Sequence, residues 1–136
     1  MMGYNPAPMS QLPSLAVLVE DLLFRTKIET TAHHLNMGMI FLKGNESEIP
    51  SGKGISLVIL DLHLKGLDPI QWLHEFKRNP KTARVPVLAF FSHVQVDLKR
   101  KAVDAGCDIV VPRSVFSVQM TQLLTRYVKS RLPSLS

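Results

Sequence analysis

Residues 57–66 read LVILDLHLKG, an apolar run that ends in Asp61 and then breaks toward Gly66. The stretch SLVIL (56–60) is too short for a helix and uninterrupted by polar residues, which is the pattern of a strand buried on both faces. Such a strand has no structural need for a carboxylate at its end. Asp61 is therefore either a strand-end cap or part of a site, and the segments around it decide between the two.

Working outward, the same short apolar pattern recurs at LAVLV (15–19), MIFLK (39–43), VPVLAFF (85–91) and DIVV (108–111). Between these runs the period changes. In DLLFRTKIETTAHHLNMG (21–38), Phe24, Ile28, Ala32 and Leu35 recur at near-helical spacing, and Gly38 supplies a C-terminal stop. Asp68 and Pro69 suit N-cap and first-turn positions of a second helix, with Ile70, Leu73 and Phe76 as its buried stripe and Asn79-Pro80 as its end. A third helix is expected around Asp97–Ala105, closed by Gly106. The last runs from about Val118 to Val128 with Met120, Leu123, Leu124 and Tyr127 inward. The segment GNESEIPSGKG (44–54) carries three glycines and a proline, so the helix that would join the second and third strands is expected to be shortened or missing. Strands alternating with helices call for a doubly wound α/β fold, a five-stranded parallel sheet covered on both faces.

Sites in open parallel sheets lie beyond the carboxyl ends of the strands, near the reversal of strand order. Glu20 and Asp21 follow the first strand, Asp61 ends the third, Ser92 and His93 follow the fourth, and Arg113 follows the fifth. With strand order 2-1-3-4-5, the three carboxylates meet at the switch between strands one and three. Three neighbouring carboxylates repel one another unless a cation sits among them. Mg²⁺ suits them, because it takes oxygen ligands and leaves positions open for a phosphoryl group. Asp61 could then serve as a carboxylate nucleophile, with metal and cation neutralising the developing charge. The plainer alternative makes Glu20 and Asp21 helix N-terminal acids favoured by the macrodipole, and Asp61 a cap.

Composition narrows the classes. At 136 residues and 46% hydrophobic content, one domain with a sizeable core is expected over residues 14–129, flanked by a flexible lead (1–13) and a tail (130–136). The lead lacks the basic start and apolar run of a signal peptide, and no stretch has the roughly 18 apolar residues of a bilayer span, so the chain reads as soluble and cytoplasmic with no membrane partner. A single cysteine, Cys107, excludes an intrachain disulfide and a multi-cysteine metal site, and reads as a small buried thiol. The net charge of +5 gathers at Lys77, Arg78, Lys81 and Arg84, at Lys99–Lys101, and at Arg126, Lys129 and Arg131. No aromatic platform lies among these residues, so they read as solvated helix ends and direct nucleic-acid binding is not expected.

In LVED (18–21), VILDLHLKGLD (58–68), KRNPKTARVPVL (77–88) and AVDAGCD (102–108), in that order and spacing, the chain resembles the CheY-like receiver domain of bacterial two-component response regulators, over about residues 14–128. The pieces match that family's acidic pair, its phosphoacceptor strand and following loop, its third-helix end with the approach to strand four, and its Ala-Gly turn before strand five. The resemblance implies a flavodoxin-like fold, Mg²⁺ at Glu20, Asp21 and Asp61, and phosphoryl transfer from a histidine kinase to Asp61. It also implies a conformational change read by a downstream protein effector, and a homodimer through the last helix and strand. A receiver is a phosphoacceptor rather than an enzyme. Because KSRLPSLS (129–136) is too short for an output domain, either a stand-alone receiver or a fragment of a longer protein is expected.

The departures fall on the family's switch. Its strand-four Thr or Ser is here Phe91; Ser92, the candidate switch hydroxyl, comes one residue late and can substitute only if the strand bulges. The strand-five aromatic is Val110. The lysine that precedes a proline, often cis, is Arg113 followed by Ser114, and a cis bond before serine costs about 2.5–4 kcal/mol, so a trans peptide is expected. Arg113 keeps the role of phosphoryl-neutralising cation. Two readings therefore stand: a receiver phosphorylated on Asp61, and a phosphate-independent pseudo-receiver acting as an interaction module. A third, a flavodoxin-like enzyme or nucleotide binder, needs a Gly-rich phosphate loop after strand one, and VEDLLF (19–24) has none. Among the other histidines, His33 and His34 read as exposed on the first helix, while His63 and His93 stand close enough to the strand ends to line a site. Trp72 reads as packing on its helix's flank.

Overall fold

Strand β3 (Ile55–Asp61) lies at the middle of the molecule, and all seven of its residues are buried. It belongs to a computed structural model that describes residues 13–44, 54–92 and 96–129, with side chains to Tyr127. β3 pairs in parallel with β1 (Ser14–Leu18) on one side and β4 (Val87–Phe91) on the other; β2 (Gly38–Phe41) and β5 (Ile109–Pro112) form the edges, giving the order 2-1-3-4-5. The helices described are α1 (Leu22–His34), α2 (Pro69–Arg78), α3 (Val96–Asp104) and α4 (Arg113–Lys129). The expected shortening of a helix between β2 and β3 concerns residues 45–53, which lie outside the described residues. None of the described helices is long and apolar enough to cross a membrane.

Strand alternation divides the core in two. Leu15, Val17, Leu57, Ile59, Leu88 and Phe90 point to one face, beneath Phe24, Ile28 and Ala32 of α1 and Phe116, Met120 and Leu124 of α4. Ala16, Leu18, Val58, Leu60, Val87, Ala89 and Phe91 point to the other, where Leu73 and Phe76 of α2 and Ala102 of α3 cover them. Burial on both faces is why these strands read as continuous apolar runs instead of alternating ones.

Several boundaries differ from the sequence expectation. α1 stops at Leu35, and the reversal is made by Asn36 in the left-handed region (φ 57°), a conformation that Asn tolerates. Gly38 is instead the first residue of β2, where a Cβ would come within 2.8 Å of Ser14 Oγ. β4 begins at Val87, since Val85 N donates to Thr82 O within the preceding turn and Pro86 has no N–H. α4 begins at Arg113, five residues before Val118, and takes one non-helical step at Gln119 (φ −104°, ψ 19°). The early turn seats Phe116, fully buried, against Phe24 and Phe90.

Candidate functional site

The parallel sheet aims all its C-terminal ends the same way, so the residues that follow β1, β3, β4 and β5 share one edge. Asp61 is the last residue of β3 and is 8% exposed. Its Oδ1 accepts the His63 N–H at 2.8 Å, while Oδ2 has no hydrogen bond among the described residues. Burial pushes the Asp61 carboxyl above its usual value, against the His63 N–H and the positive field of Arg113, which favour the charged form.

Glu20 and Asp21 reach this edge but are bonded elsewhere. Glu20 Oε1 accepts from Lys65 N at 2.6 Å and from Gly66 N at 3.4 Å, tying β1 to the loop after β3. Asp21 caps α1 by accepting Phe24 N at 3.1 Å, and its Oδ2 accepts from Arg113 Nη2 at 2.7 Å. The Arg113 hydrogen bond, followed by the capping bond, holds the Asp21 carboxyl below its ordinary value. Both acids thus take the helix-end and loop-end roles that acids in these positions can also have, and the edge is partly neutralised from within.

Arg113 opens α4. Its guanidinium carbon lies 4.4 Å from the centroid of the Phe24 ring, and Phe24 in turn packs on Phe90 at 4.9 Å and Phe116 at 5.7 Å. The cation therefore rests on a fixed aromatic base. Beside it is an open cavity of about 540 Å³ lined by Phe24, Phe91, Ser92, Pro112, Arg113, Ser114 and Ser117. Ser92 is exposed at its rim. The bulge that would bring Ser92 into the strand-end position is absent: pairing advances one for one from Val58↔Val87 to Asp61↔Phe90, and from Leu88↔Ile109 to Phe91↔Pro112. Phe91 takes that position, 7% exposed, on the same sheet face as Val110. Among the described residues there is no cis peptide bond, so Arg113-Ser114 is trans.

Two of the three ligands expected for a divalent cation, Glu20 and Asp21, are engaged within the chain. The oxygen donors have the right chemistry, but among the described residues no three acidic, histidine or cysteine side chains come together to hold a metal ion. His63 is half-buried beside Asp61, and His33 and His34 are exposed in the last turn of α1. His93 lies outside the described residues. Trp72 stacks on Phe76 with ring centroids 4.7 Å apart. Cys107 donates to Val87 O and Ile109 O, and burial pushes its thiol up to about 11, which leaves it uncharged and unreactive at neutral pH. Sequence reasoning missed the Asp21–Arg113 pair; its only trace there is the arginine in place of lysine.

No protein-family model matches the chain, and no curated protein sequence matches it. Solved structures do. The phosphorylated cyanobacterial phytochrome response regulator RcpA is 17% identical with a TM-score of 0.73, the match covering 92% of this chain and 99% of that one. The Mn²⁺-bound form of response regulator Rcp1 is 15% identical with a TM-score of 0.75, covering 90% and 99%. Chemotaxis response regulator CheY4 of Vibrio cholerae is 11% identical with a TM-score of 0.73, covering 86% and 99%. The fold is that of the CheY-like receiver domains of response regulators.

Proposed function

We propose that this receiver-fold chain is a signalling module that acts through protein–protein contacts without taking up phosphate. The observation that carries the reading is Phe91. A phosphorylation switch needs a hydroxyl at the end of β4 to bond the phosphoryl group and an aromatic on β5 to follow it. This chain has Phe91 buried against the α2–α3 core and Val110 on the same face. Neither side chain can make or break a hydrogen bond, so a phosphoryl group on Asp61 would have no route to the outer surface. The output is then a constant surface presented to a downstream protein effector, and no enzymatic role is part of the reading.

A second reading, favoured by the available Oδ2 of Asp61, keeps this residue as acceptor of a phosphoryl group from a histidine kinase. In it the carboxylate oxygen attacks phosphorus, the bond from phosphorus to the donor's leaving group breaks, and an acyl phosphate remains. This reading calls for Mg²⁺ at Glu20, Asp21 and Asp61, two of which are bonded elsewhere.

Intact mass after incubation with acetyl phosphate, with and without Mg²⁺, separates the two. We expect no mass gain in the native chain or in Asp61→Asn. A gain of one phosphoryl group in the native chain that Asp61→Asn abolishes would establish the second reading.

A further inference from the structure

The two acids at the end of β1 are both engaged inside the chain, and their partners differ in kind. Glu20 is held by backbone amides of the loop after β3, and Asp21 by a guanidinium. The Arg113–Asp21 contact at 2.7 Å joins residues 92 apart in sequence, both about one-third exposed. It is backed by the Phe24 ring beneath the guanidinium, and that ring is itself buried. A guanidinium and a hydrated divalent cation are alternative ways to neutralise a carboxylate edge. The first is weakly hydrated and delivers its charge through directed N–H groups, whereas Mg²⁺ gives up water reluctantly and binds through one or two carboxylates.

We propose that Arg113 replaces the divalent cation at this edge, so that the native chain has no divalent-metal site there and removing the guanidinium opens one at Asp21 and Asp61. The inference rests on the receiver-fold reading above and deepens it, giving the metal-independence of the module a residue and a cause. Arg113 is a positioning residue in this account, since it holds the Asp21 carboxylate by a direct hydrogen bond and contributes to Asp61 only through its field.

The test is a titration of the full chain with Mn²⁺, read as paramagnetic broadening of assigned amide resonances, with Mg²⁺ as diamagnetic competitor. We expect the native chain to show no saturable broadening localised to residues 20–22 and 61–63 up to about 1 mM Mn²⁺. Arg113→Ala is expected to show it, at least about tenfold tighter and reversed by Mg²⁺, and Arg113→Ala with Asp21→Asn is expected to lose it. Localised, Mg²⁺-competed broadening in the native chain would overturn the proposal. So would a folded Arg113→Ala that binds no better than native. Should that variant fail to fold, the native titration decides alone. A phosphoryl gain on Asp61 that persists in a metal chelator would sink the phosphate-independent reading and leave this one standing, whereas native Mn²⁺ binding sinks this one whatever the mass shows.

Discussion

Asp61 and Asp21 lie on the same edge and respond to pH in opposite directions. Burial holds Asp61 above its ordinary value, so folding favours its protonated form; that stabilisation is present in acid and is lost as pH rises through the folded value. Asp21 is held low by Arg113, so its contribution is present above the ordinary carboxylate range and is lost as pH falls through its folded value. Asp61→Asn keeps an acceptor for the His63 N–H and removes the desolvated charge. It should raise the thermal midpoint at pH 7, and the gain should vanish below the ordinary aspartate value of 3.8, which paired melting curves at the two pH values would show. At Phe91, packing dominates. Phe91→Thr, which writes in the hydroxyl of a receiver switch, should cost about 3 kcal/mol in chemical denaturation because it empties a buried ring volume. A cost near zero would mean that the β4 end is loosely packed and ready to accept a switch.

At the scale of elements, the best-read segments were those whose ends carry local chemistry. α2 begins where Asp68 and Pro69 place it, with Asp68 Oδ1 accepting Ile70 N at 3.0 Å and Gln71 N at 3.2 Å. Asp68→Ala should therefore cost about 1 kcal/mol, measured as a lower denaturant midpoint with unchanged slope. Gly106 closes α3 at φ 102°, and a Cβ there would meet Lys77 Cγ at 3.1 Å. Gly106→Ala should cost about 1–2 kcal/mol on the same measurement. α4 was the segment least well read. The apolar period visible from Met120 onward gives no sign that the helix begins at Arg113, because what starts it there is Phe116 finding Phe24 and Phe90 on other elements.

Across the whole molecule, the end of the sheet opposite the candidate site is tied by Lys77. Its ammonium lies 2.7 Å from Asp108 Oδ2 and donates to Val85 O at 2.7 Å and Ala83 O at 3.3 Å, while Asp108 Oδ2 also accepts Val87 N at 2.7 Å. One side chain thus joins α2, the turn before β4 and the start of β5. Lys77→Met should cost about 1–2 kcal/mol, since Asp108 is partly exposed and keeps water as a substitute. Combined with Asp108→Asn, the loss should fall short of the sum of the single effects, which a double-mutant cycle in denaturant would show. An additive result would mean that the contact contributes no coupling.

The sequence by itself determined the class of fold and placed Glu20, Asp21, Asp61 and Arg113 at the carboxyl ends of its strands, while the strand order that brings them together was assumed there and is seen in the structure. The class of fold and the strand-end placement follow from short apolar runs, capping residues and the handedness of parallel connections, all of which act over a few residues or apply to any such sheet. It also showed that Phe91 and Val110 lack the polar and aromatic groups of a switch, because that is a matter of residue type. Only the tertiary structure decided which acid faces which partner. Asp21 and Arg113 lie 92 residues apart, and Glu20 and Lys65 lie 45 apart. Whether a carboxylate faces a neighbouring acid, a loop amide or a guanidinium depends on rotamers and loop paths set by the packed core, and no local spacing records that choice.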